Sequence, residues 1–175
     1  MPVHPEVTSP AGTDSVAPET SRVYAEGVVA GLVGAITIAL WFLLLDTIKG
    51  RPLYTPMVIG TALFRGGEGL ENPATLPIDF EVVVSFTWVH VLAFLVIGVI
   101  AARLLALAER DANFGFGVLL LFVVFEFGFV VVSMVFAEPI LRAIAWPAVL
   151  VGNLLAAAGM AATFWRRHPS LKINP

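Results

Sequence analysis

Residues 27–45 read GVVAGLVGAITIALWFLLL, with Glu26 before them and Asp46 after them and no charged side chain between. An α-helix rises about 1.5 Å per residue, so a hydrocarbon layer of about 30 Å calls for about 20 apolar residues in a row. In lipid the backbone must satisfy its own hydrogen bonds, which leaves helices and closed barrels. The run is continuous rather than alternating, so it predicts a helix.

The same pattern recurs three times. Residues 82–102 lie between Glu81 and Arg103, and residues 112–137 lie between Asp111 and Glu138 with only Glu126 as an interruption. Residues 143–165 lie between Arg142 and Arg166. The expectation is an all-α polytopic membrane protein, an antiparallel four-transmembrane-helix bundle with helices over 27–48, 82–103, 112–137 and 143–165. A disordered polar tail (1–26) precedes this domain (27–166), and a short C-terminal tail (167–175) follows it. Composition agrees: 58% of the chain is apolar and 13% charged, against about 25% charged in soluble domains.

Several function classes fall away at once. A net charge of −3 without a basic run argues against nucleic acid as a partner. The absence of cysteine removes disulfides, thiolate nucleophiles and cysteine-held metals. His4 and His168 fall in the polar tails, leaving His90 as the one histidine in an apolar run. The polar, proline-bearing start does not read as a cleaved signal peptide.

Lys and Arg placement sets the expected orientation. Arg22, Arg103, Arg110, Arg166, Arg167 and Lys172 would face one side, and Lys49, Arg51, Arg65 and Arg142 the other. The heavier set predicts both termini in the cytoplasm of a bacterial inner membrane. Trp41, Trp88 and Trp146 then fall toward the outer face and Trp165 toward the inner one, as a belt of interfacial indoles.

The connection from Lys49 to Glu81 is the one long loop. Thr55 before Pro56 reads as a cap and first turn, and Gly66 and Gly67 end the apolar residues that follow. A short helix over residues 56–64 is predicted in the outer interface. Gly27, Gly31 and Gly34 in the first run, and Ala148, Gly152 and Ala156 in the fourth, are small residues that let helices approach closely.

Each run also places one polar side chain near its centre: Thr37, His90, Glu126 and Asn153. Charge at mid-bilayer costs about 2.5–3.5 kcal/mol on insertion scales, so Glu126 needs a partner. His90 is the candidate, sharing a proton with it, with Asn153 and Thr37 as hydrogen-bond neighbours. Interhelical packing is the plainer role for all four. At the outer ends Asp46, Arg51 and Tyr54 form a second candidate group, with Asp46 as the mouth of a path toward the midplane. No catalytic residue, metal ligand or cofactor is predicted.

The stretch Trp41-Phe42-Leu43-Leu44-Leu45-Asp46, followed by Gly50-Arg51-Pro52-Leu53-Tyr54-Thr55-Pro56, resembles a segment of small bacterial four-helix integral membrane proteins. The resemblance implies bacterial origin and that fold, and that Asp46, Arg51, Tyr54 and Pro56 act as a unit. It carries no activity with it.

Three functions compete. A non-enzymatic accessory or assembly subunit of an inner-membrane complex fits the small size and the lack of HExxH, GxSxG or a Ser–His–Asp set. The expected partners are the lipid bilayer and either another membrane protein or a second copy. A small proton-linked transporter or channel would use Glu126 with His90. A haem- or quinone-associated subunit would need more axial ligands than His90 alone supplies.

Overall fold

The computed structural model of the protein describes residues 16–108, 120, 123, 127 and 146–167. Among the described residues all regular structure is helical. Helix α1 is Val16–Ile48, α2 is Tyr54–Phe64, α3 is Phe80–Ala108 and α4 is Trp146–Arg167, with a single 3-10 turn at Pro73–Thr75 before α3. Among the described residues three helices are long and apolar enough to cross a membrane: Ser21–Ile48 within α1, then α3 and α4. Of the apolar run 112–137 only Leu120, Val123 and Phe127 are described, so that predicted span lies otherwise outside the described residues.

Helix α1 contacts both other long helices. Along α3 its partners descend: Gly27 lies against Gly98 and Val99, Gly31 against Phe94 and Leu95, and Ala35 opposite His90. Along α4 they descend too, from Met160 beside Gly34 to Gly152 beside Trp41. Both pairs are therefore antiparallel, and α3 and α4 run parallel to each other. The α1–α3 crossing depends on glycine. A Cβ on Gly27 would sit 2.6 Å from the Cα of Val99, and one on Gly98 would sit 2.6 Å from the Gly31 nitrogen. Without side chains between them the backbones approach closely, which is the main packing gain available where lipid offers no hydrophobic drive. Ala30, Ala101, Ala102, Met160 and Phe164 join the three helices into one buried cluster.

The helices overrun their predicted bounds at charged positions. Helix α1 begins at Val16 rather than at residue 27, so residues 16–26 are helical and not a disordered tail; residues 1–15 lie outside the described residues. Glu26 sits inside the helix, 3% exposed, accepting a 3.0 Å hydrogen bond from the Nε of Arg22 one turn earlier. Helix α3 likewise continues past Arg103, whose guanidinium lies over the Tyr24 ring, 4.6 Å from its centroid, and donates to its hydroxyl. A charge ends the apolar span but not the hydrogen-bonded helix when a neighbour satisfies it.

Helix α2 is present, but it is packed into the protein along much of its length. Val58 and Ala62 join Leu70 and Val149 in one buried cluster, and Met57 joins Val82 and Val83 in another. Gly60 lies against Val82, where a Cβ would fall 2.6 Å from Cγ1. Its start also differs from expectation. Leu53, with φ +67°, precedes Tyr54, and no side chain of the preceding residue caps the helix. Thr55 is the second helical residue, and it turns to Asp46 instead. Leu53 holds a left-handed conformation that costs a non-glycine residue about 1 kcal/mol or more; its side chain packs against the cluster of Met57, Val82 and Val83.

Thr61, buried in the same helix, is 1% exposed, and its hydroxyl has no hydrogen-bond partner among the described residues. A buried hydroxyl left unpaired costs about 1–3 kcal/mol. Thr61→Val keeps the shape and removes that cost. It is expected to raise stability by about 1 kcal/mol, read from detergent-micelle unfolding followed by circular dichroism. A clear loss of stability would show that the hydroxyl is engaged.

Candidate functional site

The candidate site residues and their partners gather at two levels. The first is the end of the bundle that carries the α1–α3 connection. Asp46 is in the last turn of α1 and 2% exposed. Its Oδ2 accepts the backbone N–H of Thr55 at 2.7 Å, and its Oδ1 accepts the Thr55 hydroxyl at 2.9 Å. The first turn of a helix has unpaired N–H groups and the positive end of the helix dipole. Asp46 therefore caps α2 from nine residues away in sequence. The chain between them closes through the Arg51 N–H to the Asp46 carbonyl, 2.8 Å, with Gly50 at φ +71° making the turn.

Arg51 lies over the Tyr54 ring, 4.1 Å from the centroid, and donates from Nη2 to the Pro73 carbonyl at 3.1 Å. The structure thus brings Asp46, Arg51 and Tyr54 together in a closed clasp. The Asp46 carboxylate, expected at the mouth of a polar path, is covered and occupied by Thr55. Thr55 before Pro56 suggests a local cap, and nothing in its spacing marks it as the partner of Asp46.

Trp41 departs from the interfacial belt. Its Nε1 donates to the Ala148 carbonyl at 2.8 Å, and its ring fills the notch left by Gly152. An indole N–H needs a partner when withdrawn from water, and here that partner fastens α1 to α4. Trp146 and Trp165 are exposed at the two ends of α4, while Trp88 is exposed within α3, only two residues from His90. Trp41→Phe keeps most of the ring and loses the bond, so a stability loss of about 1 kcal/mol is expected, measured by the same micelle unfolding. No loss would mean the indole bond is not formed.

At the corner between α2 and α3, Asp79 caps α3: its Oδ1 accepts the Glu81 N–H at 2.9 Å and the Val82 N–H at 3.4 Å. Arg65 donates to the other carboxylate oxygen. The Arg65 hydrogen bond, ahead of those from the backbone, holds the Asp79 carboxyl below its ordinary value of 3.8. A carboxyl depressed in the folded state adds stability above its unfolded pKa and loses it as pH falls through the folded value. The amide shifts of Glu81 and Val82 should therefore titrate with a midpoint below 3.8, and Asp79→Asn should abolish the titration. A midpoint at or above that value would contradict the pairing. The sequence expectation starts this helix at residue 82 and includes neither the cap nor its pairing with Arg65; the signal for the cap is an Asp just before the apolar run.

The second level lies within the spans. His90 sits on α3 with its Nε2 3.2 Å from the Ala35 carbonyl of α1. A carbonyl only accepts, so Nε2 carries the hydrogen. Phe86 and Phe94 flank the ring with centroids 5.9 and 4.9 Å away. Thr37 donates to the Val33 carbonyl of its own helix at 2.7 Å, and it lies beside Gly159 of α4. Asn153 is half-buried on α4. Glu126 lies outside the described residues. The contact described for His90 is thus to backbone, and of the four predicted midplane residues Thr37, His90 and Asn153 are described.

These features define a helical membrane protein with a buried carboxylate clasp at one end. Comparison with family models, with curated proteins and with solved structures gives no match.

Proposed function

We propose that the chain is a four-crossing bacterial inner-membrane protein with both termini in the cytoplasm. Its role is that of a non-enzymatic accessory or assembly subunit of a larger membrane complex. The parallel course of α3 and α4 supports the fourth crossing. Helix α3 ends at Ala108 at one end of the bundle, and α4 begins at Trp146 at the other. Those two points lie at opposite ends of the bundle, and residues 112–137 between them in sequence are an apolar stretch long enough to cross lipid. Arg22, Arg103, Arg166 and Arg167 fall at the end where α1 starts and α4 finishes, which supports the cytoplasmic placement.

The observation that carries the accessory reading is how the polar groups in the spans are used. Thr37, Thr87 and Thr163 each donate to a carbonyl one turn back in their own helix, and His90 bonds the Ala35 carbonyl across the α1–α3 contact. Such bonds stabilise a bundle without opening a path through it. Gentle extraction from the native membrane tests the reading. A stoichiometric partner in the native mass supports it, whereas a bare monomer or homodimer counts against it.

A second reading keeps a proton-linked transporter. His90 donates from Nε2 to the Ala35 carbonyl, and an imidazole is the side chain suited to exchanging a proton near neutral pH, with Glu126 as its counterpart. Proton-driven uptake into vesicles that is lost in Glu126→Gln would select this reading over the first.

A further inference from the structure

Helix α3 carries an unbroken row of exposed apolar side chains at every fourth position: Phe80, Val84, Trp88, Leu92, Val96 and Ile100. At about 1.5 Å per residue the row is about 30 Å long, the thickness of a bilayer's hydrocarbon core. That match places Phe80 at one edge of the hydrocarbon and Ile100 at the other. Beyond Ile100 comes Arg103 with Tyr24, and beyond Phe80 comes Asp79 with Arg65. Each end of the row is thus closed by a cation joined to a polar or acidic partner, as at a membrane surface.

The row does not stop at α3. The Arg65–Asp79 pair ties the end of α2 to the start of α3, so the residues flanking the pair share one corner. Those neighbours are apolar and exposed: Phe64 at 47%, Ile78 at 45% and Phe80 at 69%. Leu63 is exposed beside them, while Met57, Val58 and Ala62 of the same helix are buried. The corner therefore extends the lipid-facing row of α3 sideways, at the depth where hydrocarbon meets headgroups.

We infer that the α2–α3 corner, through Leu63, Phe64, Ile78 and Phe80, is inserted in the headgroup–acyl boundary of the bilayer and sets the depth of this end of the protein. The partner is the lipid surface itself. Arg65 lies among these apolar residues with its charge on Asp79, which suits a boundary where apolar stems sink and charged heads stay wet. The inference rests on α3 spanning the membrane.

The chain has no cysteine, so single Phe64→Cys, Ile78→Cys and Phe80→Cys variants of the full protein can each be labelled at one place with a nitroxide. Leu92→Cys and Glu68→Cys, both exposed, give the deep and aqueous references. In phosphatidylcholine vesicles, collision with oxygen reports lipid and collision with a nickel chelate reports water. At the three corner sites the oxygen-to-nickel ratio is expected to be severalfold above that at residue 68 and below that at residue 92. A ratio equal to that of residue 68 would place the corner in water and overturn the inference. Low access to both reagents would mean that protein covers the corner, from a second copy or from residues 112–137, and would also overturn it. If residue 92 itself reads as aqueous, it is the membrane-spanning reading of α3 that fails.

Discussion

Asp46→Ala is expected to lower stability by about 2–3 kcal/mol, since a hydrogen bond to a charged group contributes about 1.5–3 kcal/mol and its loss strands buried donors. The substitution leaves the Thr55 N–H and hydroxyl unpaired in a site where Asp46 is 2% exposed. It also removes the negative group from the positive end of α2. The damage should be local. Helix α2 ought to loosen first, because the connection between α1 and α2 is closed by this carboxylate and by the Arg51 N–H on the Asp46 carbonyl. Asp46→Asn is the sharper variant. Its amide oxygen still accepts one bond but carries no charge, so about half of the loss should return. Micelle unfolding with amide exchange at residues 54–64 measures both. If exchange in α2 is unchanged in Asp46→Ala, the capping role is refuted.

Gly98→Ala is expected to cost about 2 kcal/mol net. Alanine is the better helix former by about 1 kcal/mol, which pulls toward stabilisation. Against this, the new Cβ would lie 2.6 Å from the Gly31 nitrogen, 2.8 Å from its Cα and closer still to the Gly27 carbonyl. These are backbone atoms of α1 and cannot swing aside, so the helices must separate. Overpacking costs about 1–3 kcal/mol even where side chains give way. Separation would also weaken the His90–Ala35 and Arg103–Tyr24 contacts across the same interface. Gly159→Ala is the control. Its Cβ would meet Val33 Cγ1 at 3.2 Å and Thr37 Oγ1 at 3.4 Å, side-chain atoms that need shift only slightly. That variant should be near neutral in the same unfolding assay. Equal losses for the two glycines would show that the close crossing is not where the structure places it.

The two variants separate two kinds of packing signal. Gly27 and Gly31 were visible in the sequence as small residues on one side of a helix, but such spacing does not say what they face. Their partner, Gly98, is the single glycine of α3, and its spacing to Ala102 is no more telling about what it faces. In the fourth run, Gly152 was equally visible, and its partner proved to be Trp41, which hydropathy alone sends to a membrane surface. Composition within one helix records what can be approached closely. It does not record the rotation of the neighbour that makes the approach.

By itself the sequence determined the all-helical class, three of the long apolar helices, the short helix after Asp46 and the polar positions within the spans. These follow from the length of apolar runs against a hydrocarbon layer and from where backbone hydrogen bonds can close, and both are local properties of the chain. Only the tertiary structure decided that Thr55 turns to Asp46, that Arg65 pairs with Asp79, that Trp41 clamps α4 and that His90 reaches the backbone of α1. Each of these joins a side chain to a group on a separate element. Their meeting depends on how the helices are rotated and how closely they pack, and no spacing along one helix encodes the distance to another.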